Sequence, residues 1–255
     1  MYIKPPELYL EKKKSKVLAL VLFCALCGLI ALWGTEEQEP VLSYGIASKL
    51  IVVDPGHGGF DPGAWRGNIL EKNVTLQISK KLQTYLGGAG AVVILRREND
   101  EDLAPQPFKG SVRDRKRADL AARVKAANKS RADIYISVHT NADVSPRWSG
   151  AQTFYNGKSE ESKVLAETIQ DEFTRVLGNT KRKAKTGSYY IIDKTEMPAV
   201  IAEVGFISNP DEARLLTSSA YQEKVAYAIF SGIIKSQNQE TTEKEASAKV
   251  KELHR

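Results

Sequence analysis

The sequence is short of cysteine and of histidine. Its 255 residues include two cysteines and three histidines. Cys24 and Cys27 both fall inside one apolar run, and everything after Cys27 is free of cysteine. No disulfide can hold the body together, so it relies on a hydrophobic core. With 42% hydrophobic residues, a chain of this length can build one sizeable core. A C-x-x-C pair can signal redox or metal chemistry. Within an apolar run cysteine packs instead as a small hydrophobe, and neither cysteine follows a convincing lipoprotein-type leader. H-E-x-x-H is absent, which removes the logic of helix-based metalloproteases. The chain also lacks a serine elbow, a catalytic cysteine and an internal repeat. It has no helix-turn-helix signature or stacking-aromatic module, so nucleic acid is not an expected partner.

The formal charge is +6, and the excess is local. Lys12, Lys13, Lys14 and Lys16 crowd the start, within a basic region spanning 1–16. Residues 17–33, VLALVLFCALCGLIALW, follow without a charge. Such a length suits a short transmembrane anchor or a signal segment. The lysines then face the anionic inner membrane surface. No clean A-x-A cleavage site follows, which favours an uncleaved anchor. Either reading places the rest of the chain outside the cytoplasm. A second basic cluster, Lys181, Arg182, Lys183 and Lys185, reads as a solvated face or as a contact to an acidic polymer.

After a polar linker at 34–48, the expected body spans 49–236, and a polar, flexible tail is expected over 237–255. Strands are expected at 50–53, 91–95, 133–138, 151–155, 189–192 and 199–204. Helices are expected at 71–86, 113–128, 160–177 and 219–236, with a short one starting at Asn209. In the first helix Val74, Ile78, Leu82 and Leu86 recur every four residues. Strands alternating with helices predict an α/β fold: a mostly parallel central sheet of about six strands, covered by helices on both faces. The membrane segment precedes it.

Two of the three histidines end hydrophobic strands. His57 follows Ile51-Val52-Val53-Asp54-Pro55-Gly56, and His139 closes Ile134-Tyr135-Ile136-Ser137-Val138. In open α/β sheets the carboxyl edge of the strands is where sites form. A hydrolytic zinc centre takes three protein ligands from His and carboxylate and keeps one position open. Glu71 is the best third candidate, since the loop before it can fold it back beside His57. Its other reading is a favourable charge at a helix N-terminus. Glu203 interrupts the apolar strand Ala199–Val204, where a buried carboxylate is costly unless paired or used. It either handles protons beside the metal or reaches water at the strand end. Asp54 either orients His57 or stabilises its turn, the turn being slightly favoured. Asn141 is a candidate for lining the pocket.

Taken together, IVVDPGHGGFDPGA, LEKNVTL, ISVHTNA and PAVIAEVGFISNPDEA resemble the zinc-dependent N-acetylmuramoyl-L-alanine amidases of the Amidase_3 type. The resemblance spans roughly residues 50–236 and keeps all four motifs in order. It implies one Zn2+ ion held by His57, Glu71 and His139, with Glu203 as the catalytic carboxylate and peptidoglycan as substrate. LAPQPFKGSVRDRKRADLAARV, WSGAQTFYNGK, TKRKAK and YQEKVA resemble the germination-specific, spore-cortex branch of that family. That branch implies a role in making muramic δ-lactam, and action in the space between forespore and mother-cell membranes. Whether a helper protein takes part is left open. Rival readings are a zinc peptidase acting on the stem peptide and a non-catalytic peptidoglycan-binding module.

Overall fold

The computed structural model describes residues 43–253, with side chains over 45–242. The basic start, the 17–33 segment and most of the expected linker lie outside the described residues. No helix among the described residues is long and apolar enough to cross a membrane.

Among the described residues, eight strands and six α-helices follow a short 3-10 turn at Ser43–Ile46. The strands are β1 (Leu50–Pro55), β2 (Trp65–Arg66), β3 (Ile69–Leu70), β4 (Val92–Leu95), β5 (Ile134–Asn141), β6 (Gln152–Tyr155), β7 (Lys185–Thr186) and β8 (Ala199–Phe206). The helices are α1 (Glu71–Gly88), α2 (Val112–Ser130), α3 (Glu160–Glu172), α4 (Tyr190–Lys194), α5 (Pro210–Leu216) and α6 (Ser219–Leu253). Six strands form one sheet in the order β4-β1-β5-β8-β6-β7, and β2 and β3 form a separate hairpin. β4, β1, β5 and β8 are mutually parallel, β6 runs antiparallel to β8, and β7 is parallel to β6.

Alternation along the strands divides the core in two. Ile51, Val53, Ile134, Ile136, Val138, Val200 and Ala202 face α1, α3 and α6. Val52, Tyr135, Ala199 and Ile201 face α2 and α4. The period of two in a pleated strand puts neighbouring residues on opposite faces. Both faces are therefore covered, as a parallel sheet requires. The expected ladder Val74, Ile78, Leu82 and Leu86 is the buried side of α1. Each such side chain contributes about 2 kcal/mol on burial.

Three expectations need correction. Residues 189–192 are not a strand: Tyr190–Lys194 is a helical turn, and β7 at Lys185–Thr186 is the sixth strand of the sheet. The consecutive burial of Ile191 and Ile192 against the α2 layer cannot be met by a pleated strand, which would turn one of them away. The body also begins earlier than residue 49, because Ile46 is fully buried in the larger core. Finally, the last helix does not end near Ser236. It runs on to Leu253 through a stretch with no Gly or Pro and many good helix formers.

Candidate active site

The carboxyl edge of the parallel strands gathers the four expected residues. His57 stands two residues beyond β1, His139 and Glu203 lie on β5 and β8, and Glu71 opens α1. His139 and Glu203 are register partners across the β5–β8 pair. By strand alternation both project to the α2/α4 side, as Tyr135 and Ile201 do. The hairpin β2–β3 returns the chain so that Glu71 meets His57: the Glu71 amide donates to the Ala64 carbonyl at 2.9 Å.

Glu71 is the hub. Its side chain is 3% exposed and spans both imidazoles, with Oε2 3.1 Å from His57 Nε2 and Oε1 3.1 Å from His139 Nδ1. The amides of Ala64 and Thr140 each donate to it at 2.8 Å. The two rings meet edge to face, with centroids 4.9 Å apart. Burial alone would raise the Glu71 pKa. The hydrogen bonds and charges of His139 and His57 overcome that and hold it well below the usual carboxylate range.

Two glycines make this crowding possible. A Cβ on Gly56 would run into the His139 ring. Gly63 has φ 69°, and a Cβ there would press on the Glu71 carboxylate and the His57 ring. His57 itself has φ 63°. A left-handed backbone at a residue other than glycine costs about 1 kcal/mol or more, so the surrounding structure must hold it.

Sequence reasoning missed Asp61. Its Oδ2 lies 2.8 Å from His57 Nδ1 and 3.0 Å from Lys116 Nζ. That hydrogen bond keeps the proton of a neutral imidazole on Nδ1 and leaves the Nε2 lone pair turned toward Glu71. Asp54 does not orient the imidazole. It is fully buried and pairs with Arg123 Nη1 and the Tyr135 hydroxyl, both at 2.5 Å. Burial would depress the His57 pKa, but Asp61 and Glu71 together push it up to about 9.

Glu203 differs from Glu71 in having no support. Its Oε2 is buried with no hydrogen-bond partner. Burial first, and the charge of Glu71 second, push its pKa up to about 8. It shares a cavity of about 290 Å³ with His57, Glu71 and His139. Leu120, Ile191 and Ile201 give this cavity an apolar side, Tyr189 and Tyr190 line it as well, and Asn141 contributes as expected.

One potential ligand atom from each of His57, Glu71 and His139 lies within 4.8 Å of the other two, close enough to hold one metal ion. Two imidazoles and one carboxylate are the donor set of a hydrolytic zinc site. The partnerless Glu203 oxygen beside them is the kind of group such a site uses. The residues present therefore fit a zinc ion.

A family model described as N-acetylmuramoyl-L-alanine amidase, Amidase_3, matches residues 51–235. The chain belongs to this amidase family. Among relatives of the amidase, the germination-specific N-acetylmuramoyl-L-alanine amidase of Bacillus subtilis is 50% identical over 191 residues, or 74% of this chain and 80% of that one. The amidase LytC of the same organism is 35% identical over 191 residues, 74% of this chain but 36% of its own length. Among solved structures, the CwlD amidase of Clostridioides difficile in complex with the GerS lipoprotein has a TM-score of 0.73 at 37% identity, covering 75% of this chain and 99% of that chain.

The basic cluster divides in this amidase. Arg182 turns inward, with its guanidinium over the rings of Trp148 and Phe206 and its Nε donating to the Ser149 carbonyl. Lys181, Lys183 and Lys185 are exposed.

Proposed function

We propose that the enzyme hydrolyses the amide bond between the lactyl carbonyl of N-acetylmuramic acid and L-alanine, with one zinc ion held by His57, Glu71 and His139. The observation that carries this reading is the meeting of those three side chains beside a half-buried carboxylate, Glu203, whose Oε2 is buried with no hydrogen-bond partner. Bound there, zinc supplies Lewis acidity toward a carbonyl oxygen and brings the pKa of water to about 7.

The protein's own groups do the rest. Glu203 takes a proton from the attacking water, whose oxygen bonds to the lactyl carbon. It then delivers that proton to the alanine nitrogen as the amide bond breaks, leaving a lactyl carboxylate and a free amine. Asp61 holds His57 by its Nδ1 proton, so the opposite nitrogen is free to ligate. The apolar wall of Leu120, Ile191 and Ile201 excludes water from one side of the reacting amide.

The identity to a germination-specific amidase supports cortex peptidoglycan as the substrate and muramic δ-lactam formation as the purpose. Residues 17–33 would anchor the body outside the cytoplasm, between the forespore and mother-cell membranes. A solved relative in complex with a lipoprotein supports a helper protein as partner.

The test is metal content together with product identity. Purified full-length enzyme should hold one zinc per chain. It should release intact stem peptides with a free L-alanine amine, faster from cortex than from vegetative peptidoglycan. Stem peptides cut internally would indicate a peptidase. Binding without any release would indicate a wall-binding module.

A further inference from the structure

Two buried arginines reach the backbone of the His57 loop. Arg97 follows the end of β4 and is 2% exposed; Arg123 stands in α2 and is 1% exposed. Arg123 donates through Nη1 to the Pro55 carbonyl at 3.0 Å and through Nη2 to the His57 carbonyl at 2.7 Å. Arg97 donates through Nε to the Pro55 carbonyl at 3.1 Å and through Nη2 to the Gly56 carbonyl at 3.0 Å. Three successive carbonyls, of Pro55, Gly56 and His57, thus all end on guanidinium groups. The Thr75 hydroxyl adds a bond to the Gly56 carbonyl at 3.0 Å.

This arrangement is costly for a purely structural role. Burying a guanidinium forfeits its hydration, and apolar residues of similar volume often stabilise a core as well or better. Arg123 has carboxylate partners in Asp54 and Asp119. The five hydrogen bonds of Arg97 instead go to four carbonyls, of Pro55, Gly56, Asn99 and Lys72, and to the Thr75 hydroxyl. Charge-assisted, forked bonds fix direction as well as distance. The segment they fix ends in the left-handed backbone of His57, whose ring must reach Glu71.

We propose that Arg97 and Arg123 form a guanidinium clamp that positions His57 for metal binding by locking the backbone of residues 55–57. This rests on the reading of His57 as a metal ligand. The clamp acts through the main chain, so both arginines are positioning residues and touch neither substrate nor metal.

Lysine keeps the charge but cannot bridge two carbonyls as a planar fork does. Arg97→Lys, Arg123→Lys and the milder Thr75→Val would be stripped with a chelator. Each would then be titrated with Zn2+ against a chromophoric competitor, with a urea melt run in parallel. The zinc dissociation constant of the folded arginine variants should rise about ten- to a hundredfold, the scale of other groups that orient metal ligands. Thr75→Val, which removes one of the hydrogen bonds to the Gly56 carbonyl, should raise it by less, toward about the tenfold end of that range. A role in stability alone lowers the urea midpoint and leaves zinc affinity at the wild-type value; that result overturns the clamp. Should the lysine variants fail to fold, Thr75→Val decides, and unchanged affinity there also overturns it. Failure of the wild-type protein to bind zinc would instead refute the reading of the site itself.

Discussion

Replacing Glu203 with glutamine should make the metal-free protein more stable in alkali while removing most of its activity. Glu203 is pushed up from 4.5 to about 8 in the folded, metal-free chain. Between those two values the folded state keeps a proton that the unfolded state has released. Stability therefore falls as pH rises through this window. The contribution is fully present below about pH 4.5 and lost above about pH 8. At about 1.36 kcal/mol per pH unit, the loss is bounded near 5 kcal/mol. Water reaching the cavity side of this half-buried residue reduces it to about 2–4 kcal/mol.

Glutamine has nearly the same shape and does not ionise, so it escapes that loss. Urea unfolding of chelator-treated wild type and Glu203→Gln should give similar stabilities at pH 4.5. The variant should be about 2–4 kcal/mol more stable at pH 8.5. Titrating groups that do not interact with Glu203 are common to the two proteins and cancel in the difference; Glu71, His57 and Tyr189, which feel its charge, add a smaller change of their own. With zinc restored, hydrolysis of muramoyl peptides by the variant should drop at least about 10²-fold, the scale of general acid–base catalysis. A stability difference that is the same at both pH values would refute the argument from burial. An unchanged rate would remove Glu203 from the reaction.

The imidazole of His57 keeps its proton up to about pH 9 in the metal-free protein, so zinc has to displace that proton. Apparent zinc affinity should therefore climb about tenfold per unit between pH 6.5 and 8.5, and competitive titrations giving a flat profile would contradict this. Gly56→Ala should abolish zinc binding and lower the urea stability by about 2 kcal/mol or more, because the added methyl and the His139 ring cannot share one space. Zinc bound at wild-type affinity by that variant would show the site to be far more pliable than its packing implies.

Much of the fold was legible because burial on both faces leaves a strong trace. The run Leu50–Val53 and the run Ile134–Val138 read as strands from hydrophobicity alone, and both are central in the sheet. The segment at residues 189–192 misled for the opposite reason. Its aromatic and β-branched residues favour strands, yet tertiary packing of Ile191 and Ile192 on one side decides for a helical turn. Arg182 in the basic cluster was similarly opaque. Its neighbours suggest a solvated face, and only the fold reveals the two rings over which its guanidinium lies.

The site was legible where chemistry stands at element ends. His139 and Glu203 lie in the carboxyl half of a strand, His57 just beyond one, and Glu71 at the start of a helix, so topology alone brings them near one edge. Asp61, Arg97, Arg123 and Tyr135 left no comparable mark, because their roles depend on partners set by tertiary folding. The two Asp-Pro-Gly tripeptides make the point most sharply. Asp54-Pro55-Gly56 and Asp61-Pro62-Gly63 are identical in sequence, and each reads locally as a turn. Asp54 still belongs to β1, so its carboxylate points into the layer beneath α2 and neutralises Arg123. Asp61 lies beyond the sheet edge, where the chain has doubled back through the Gly58–Asp61 bridge and its carboxylate meets the imidazole. Depth relative to the sheet edge thus assigns one carboxylate to the scaffold behind His57 and the other to the ring itself. A substitution at either position should therefore reach the proposed metal site by a different route: through the backbone of residues 55–57 for Asp54, and through the Nδ1 proton for Asp61.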